Sequence, residues 1–173
     1  MNTKEEILEN GATSSEKAIL FFDELPAVSI DFMLGRWKGE ELFTEHPMDG
    51  QLKSTGWYGK VFEDAESVGP LLFYTDRDHK ETFMVNPISI MNENQEQYRK
   101  EGVFLGDFRE QLETKEFKAR LRMLEHRGVI SATMIYDEAP INDIFRKIDE
   151  NTVLGVMDLK YVPQPYFFLL RRD

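Results

Sequence analysis

MLGRWKGEELF, residues 33–43, sets one tryptophan between two glycines. Gly35, Trp37 and Gly39 are two apart, so on a strand all three face the same way. A strand that flanks its bulkiest side chain with two missing ones is making room. An indole buries a large area and keeps a single N–H donor, and glycine admits a bulge or a close neighbour. We read Trp37 as a plug at the end of a closed β-barrel, with Gly35 and Gly39 letting other backbone approach it. Arg171 and Arg172 stand near the end of the last expected strand. First and last strands meet when a barrel closes, so one guanidinium is expected to stack on the indole.

Working outward, a period of two recurs. Strands are expected near 36–45, 52–63, 70–76 and 81–85, with HPMDG (46–50) as a turn. In FKARLRMLEH, Phe117, Ala119, Leu121 and Met123 share one face, and Lys118, Arg120 and Arg122 the other. GVISATMIYD is the next strand, DIFRKIDENTVLGVMDLK a hairpin closed at 149–151, and PYFFLLRRD the last strand. About nine strands at hairpin spacing favour an antiparallel barrel over a parallel α/β sheet. Before them, TSSEKAILFFDELP has a cap at Thr13 or Ser14, an apolar face and Pro26 beyond its end, the signature of one amphipathic helix. Residues 88–114 lose the alternation and read as a helical excursion, a lid or cap on the barrel. One domain spanning 1–173 is expected.

Composition narrows the function. With 21 basic against 32 acidic residues the formal charge is −11, a surface that repels phosphate backbones and anionic membranes. The chain has no cysteine, which excludes a disulfide framework and a thiol nucleophile. Its start is polar and acidic, and no run approaches the ~20 apolar residues of a membrane helix. A cytoplasmic protein is expected. There is no G-x-G-x-x-G, no G-x-x-x-x-G-K-[ST], no G-x-S-x-G and no H-E-x-x-H.

Candidate site residues come from three places. His46, His79 and His126 have no metal-ligand spacing, so no metal site is expected; His46 and His79 read as solvated turn residues, and His126 ends a strand. The basic row is either a solvent face paired with acids or the lining of a mouth, in which case Arg120 and Arg122, with His126, would hold an anionic group. IYDEAPINDIFRK gathers Tyr136, Asp143 and Arg146 around one turn. As catalysts, Asp143 would be the base, and Tyr136 or Arg146 would steady an anion.

Gly35-Arg-Trp37-Lys-Gly39 resembles the signature of the bacterial GXWXG-motif family, and residues 131–158 are similar to the uncharacterised domain that follows that motif. The likeness covers about 28–85 and 112–172, two halves of one barrel, and implies no established reaction. More loosely, the pattern resembles calycins, the lipocalin-like barrels, which place a G-x-W on the first strand after a short helix and an arginine near the last. That likeness implies a cavity for a small apolar molecule. Calycin-like nitrobindins hold haem through a histidine near their C-terminus; this chain has none after His126, so haem is not expected, nor any other cofactor. The expectation is therefore a mainly β, antiparallel calycin-like barrel that carries or senses a small hydrophobic molecule. Its rival is a cofactor-independent barrel enzyme: a cyclase, isomerase or dehydratase. A homodimer would follow from an exposed apolar sheet edge.

Overall fold

Nine strands hydrogen-bond in the order β2-β1-β9-β8-β7-β6-β5-β3-β4, and a further β2–β3 pairing closes the sheet on itself. The computed structural model describes residues 2–173, Glu93 by its backbone alone. The strands are β1 Gly35–Glu41, β2 Trp57–Phe62, β3 Val68–Tyr74, β4 Thr82–Met84, β5 Ala119–His126, β6 Val129–Tyr136, β7 Ile141–Asp149, β8 Thr152–Leu159 and β9 Val162–Arg172. All pairings are antiparallel, and β4 flanks β3 outside the ring of the other eight. The expected closed barrel is thus confirmed, with β1 against β9 and Trp37 opposite Arg172. An eight-stranded barrel is just wide enough for side chains to fill. Its thinnest seam is β3–β5, where one residue pair, Val68 and Ala119, registers.

Period two sorts the strands into two apolar surfaces. Inward residues such as Trp37, Phe62, Ala119, Leu121, Met134, Phe145 and Phe168 form the barrel interior. Outward residues Ile144, Leu154, Val156, Phe167 and Leu169 form a second core with Ala18 and Phe22. Those two belong to α1, Ser15–Glu24, whose first turn is capped by Ser14 accepting from the Lys17 N–H. The helix lies across the outside of β7–β9, which is why the strands there are apolar on both faces.

From α1 the chain crosses one end of the barrel. Lys147 N–H donates to Pro26 O, Val28 N–H to the Ser131 hydroxyl, and Ala132 N–H to Val28 O. A short helix follows, α2 (Ile30–Met33), and delivers the chain to β1.

Several boundaries differ from the sequence reading. The expected strand over 52–63 begins only at Trp57. Residues Gln51–Thr55 are a helical turn, α3, bracketed by Gly50 (φ 86°) and Gly56 (φ 81°). Those two left-handed glycines let the chain enter and leave the turn without strain. Strand β1 stops at Glu41, and just beyond it Phe43 pairs with the N-terminal segment instead, its N–H donating to Gly11 O and its carbonyl accepting from Thr13 N–H. The 88–114 excursion contains α4 (Ile88–Met91), 3-10 turns at Glu93–Arg99 and Leu105–Phe108, and α5 (Arg109–Leu112). Its return is pinned to β4: Asn86 N–H donates to Leu112 O and Thr114 N–H to Met84 O. Among the described residues no helix is long and apolar enough to cross a membrane.

Candidate functional site

Trp37 is fully buried at the end crossed by α2. Its indole Nε1–H donates to Met33 O at 2.8 Å, and Phe32 packs on it at 6.0 Å between ring centroids. The Arg172 guanidinium lies 4.2 Å over the indole and 5.1 Å over Phe32, while donating to Leu34 O and Phe32 O. Gly35 has φ 117°, a conformation that favours glycine. Gly39 makes room for a ring rather than for backbone. A Cβ there would sit 2.2 Å from the Trp57 indole. The close backbone approach comes from Gly59, where a Cβ would lie 2.0 Å from Trp37 O.

Gly59 also decides what faces inward on β2. The β2–β3 register shifts on both sides of it, as at a bulge. Trp57 and Lys60, three apart, can therefore both turn to the interior. Lys60 is 2 % exposed. Its Nζ sits 3.0 Å from Asp143 Oδ2 and donates to Pro70 O at 3.0 Å. Around it stand the rings of Phe168 (5.2 Å), Trp57 (5.9 Å) and Tyr136 (5.9 Å).

Asp143 is on β7 opposite Met134, and Tyr136 lies two residues along the same partner strand, a diagonal neighbour. Burial pushes the Asp143 carboxyl above its ordinary value, and Lys60 pulls it back. Burial, then the Asp143 charge, pushes the Tyr136 phenol well up. Two buried polar atoms here have no hydrogen-bond partner among the described residues: Asp143 Oδ1 and Trp57 Nε1. An ion pair walled by aromatic rings with spare acceptor and donor capacity can hold a polar group, or move a proton.

Beyond the Trp57 indole opens a recess of about 340 Å³, whose walls include Gly39, Phe43, Lys53, Gly56 and Tyr74. Gly39 and Gly56 matter because each is filled by a ring: Trp57 over Gly39, and Phe104, from the excursion, over Gly56 at 2.3 Å from a would-be Cβ. Trp57 itself lines the recess, and its ring is also 5.9 Å from Lys60 Nζ.

The remaining sequence candidates are placed as follows. Arg146 is fully buried but outside the barrel, donating to Leu25 O and His126 O with its guanidinium 4.8 Å over Phe22. Asp143 and Arg146 are three apart on a strand, so they face opposite sides. His126 packs edge-on against Phe22 beside an outer groove of about 330 Å³, and burial holds its imidazole below the ordinary value. Arg120 lies 3.8 Å from Asp137 and Arg122 2.7 Å from Glu66, both on the outer face. Arg171 pairs with Glu40 at 2.8 Å. His46 is buried rather than solvated: Nδ1 accepts from Met48 N–H, and the ring packs on Tyr166 at 5.2 Å. His79 stacks on Tyr74 at 4.0 Å. Among the described residues no group of three or more His, Cys, Asp or Glu side chains could hold a metal ion.

Sequence reasoning named Tyr136 and Asp143 and missed Lys60 and Trp57. The signal for Trp57 was Gly59: a glycine inside a strand marks a bulge, and the bulge lets Trp57 share the inner face with Lys60, which pairs regularly with Trp37.

Comparison with known proteins gives two family matches. Residues 20–78 match the GXWXG protein family and residues 117–172 match DUF4334, a domain of unknown function. The first contains β1–β3 with Trp57 and Lys60; the second contains β5–β9 with Tyr136 and Asp143. The ion pair thus joins the two matched segments across the interior. A crystal structure of a protein from Thermomonospora curvata is similar at 30% identity and a TM-score of 0.74, covering 100% of this chain and 99% of that one. No curated protein matches.

Proposed function

This chain belongs to the GXWXG family, with the paired DUF4334 domain, and from that premise we propose that it is a carrier or sensor of a small, largely apolar molecule. The ligand's one polar group is anchored at Lys60 and Asp143. The observation that carries the reading is Asp143 Oδ1, a buried carboxylate oxygen without a protein partner, beside an ammonium group in an aromatic-lined interior. A buried ion pair is a weak source of stability, since apolar residues of similar volume do as well or better by about 1–4 kcal/mol. Retaining it makes sense if the pair meets a ligand. The recess outside Trp57 is the entrance, and the indole is the part that moves.

The test uses a matched pair of probes, p-cresol and p-xylene, which differ by a hydroxyl for a methyl. Binding is read from the NMR resonance of the Trp57 indole N–H. The reading predicts that p-cresol shifts that resonance saturably and binds roughly tenfold tighter than p-xylene, one hydrogen bond's worth. It also predicts that Lys60→Met/Asp143→Leu removes the preference. No saturable shift with either probe would overturn it.

A second reading, a cofactor-independent barrel enzyme, has one observation in its favour. A carboxyl raised by burial beside a buried tyrosine is a suitable general acid or base. It is distinguished from carriage by product formation, with the chemistry lost in Asp143→Asn.

A further inference from the structure

We propose that Lys60 is a carbonyl-capturing amine, so that the ligand class of this barrel includes aldehydes or ketones, held as a Schiff base on Nζ. The inference rests on the ligand-binding reading above and specifies its chemistry.

Lysines used this way are removed from water, with a partner that can carry a proton. Lys60 meets both conditions. Its side chain is 3% exposed, as is that of Asp143. Its hydrogen-bond partners are a backbone carbonyl, Pro70 O, which cannot take its proton, and Asp143, which can. Three aromatic rings surround the nitrogen at 5.2–5.9 Å. A proton passed across the 3.0 Å contact leaves an amine and a carboxylic acid, both uncharged, the arrangement that an apolar wall penalises least. The carboxyl's upward shift is in the same direction. Asp143 Oδ1, without a partner, is left to serve the incoming oxygen.

The step balances within these groups. Nζ gives a proton to Asp143, and its lone pair attacks the carbonyl carbon. The carbonyl oxygen takes the proton from Asp143, giving a carbinolamine. Asp143 then removes a second proton from nitrogen and returns it to the hydroxyl. The C–O bond breaks, water leaves, and nitrogen keeps a double bond to carbon with one proton on it. An ammonium and a carbonyl become an iminium and water, with no oxidant or reductant. Reversal by water releases the ligand, as a carrier requires.

The experiment incubates the protein with 4-methylbenzaldehyde and cyanoborohydride, which fixes any Schiff base as a secondary amine. Peptide mapping compares Lys60 with the exposed Lys80 and Lys53 in the same molecules. The proposal predicts that Lys60 is modified at least tenfold faster than either, despite its burial, and that Asp143→Asn lowers the Lys60 rate at least tenfold. The within-molecule ratio needs no variant, so a poorly folded Asp143→Asn does not remove the test. Modification confined to exposed lysines would overturn the proposal, as would equal Lys60 rates in both proteins. A shift of the Trp57 indole N–H by the aldehyde without reductant, and no adduct with it, sinks this inference alone. No shift with aldehyde or with p-cresol sinks the binding reading too.

Discussion

Removing one partner of the interior ion pair is the sharpest perturbation that this fold offers. Asp143→Leu strips the carboxylate from Lys60 and leaves Nζ with Pro70 O and three aromatic rings. Both side chains are 3% exposed, so solvent does not rescue the stranded charge. The expected loss is about 3–5 kcal/mol, or roughly 6–20 °C in Tm for a chain of this length. Lys60→Met leaves the carboxylate instead and costs a similar amount at neutral pH. The double variant Lys60→Met/Asp143→Leu removes both charges and is expected within about 1–2 kcal/mol of wild type. Urea unfolding with a common slope measures all four proteins, and the cycle yields a coupling energy of several kcal/mol. The pH dependence of Lys60→Met gives a further check. Burial raises the Asp143 carboxyl and Lys60 lowers it, so without Lys60 only the upward influence is left. A raised folded value leaves stability intact below the unfolded pKa of ~3.9 and removes it as pH climbs through the folded value. The penalty of Lys60→Met is therefore smaller at pH 4 than at pH 7. Single variants each costing under about 1 kcal/mol, or a double variant as unstable as the two singles summed, would refute the reasoning.

Gly39→Ala drives a methyl into the Trp57 ring at 2.2 Å, so the indole must move; a loss of about 1–3 kcal/mol and a displaced Trp57 N–H resonance are expected. Gly59→Ala meets backbone at 2.0 Å with φ 145° and is expected to cost more than Gly39→Ala in the same urea experiment. Arg172→Lys keeps the charge but loses the planar stack on Trp37 and Phe32 and the two-carbonyl fork; it is expected to destabilise nearly as much as Arg172→Ala. Hydrogen bonds from Arg109 and then Lys115 hold the Glu113 carboxyl at about 2, down from 4.5. The sign for a lowered group is stability present above 4.5 and lost as pH falls toward 2. Hydrogen exchange should accordingly show residues 109–115 loosening on acidification across that window.

The sequence carried the barrel because its evidence is periodic. Inward Ala119 and Leu121 alternate with outward Arg120 and Arg122, and hairpin spacing supplied the antiparallel order. It carried the meeting of β1 and β9 as well, through the rule that first and last strands meet, but left Arg171 and Arg172 as alternatives; the register puts Arg172 on Trp37. What it could not supply came from departures from period two. The bulge at Gly59 let Trp57 join Lys60 and Phe62 on the inner face, and the helical turn between Gly50 and Gly56 replaced the first part of an expected strand. Grouping Tyr136, Asp143 and Arg146 by nearness in sequence mixed an inward pair with an outward residue. Parity along β7 is enough to separate Asp143 from Arg146. Lys60 and Asp143 are 83 positions apart, and only the closure of the sheet puts their side chains in contact.

A crystal structure of the protein grown with p-cresol measures the interior anchor most directly. The account predicts a phenolic oxygen within about 2.6–3.2 Å of Asp143 Oδ1 and the Trp57 indole lifted from Gly39. Cresol found only on the outer surface at saturating concentration, with the indole still against Gly39 and Lys60 still buried, would contradict the account.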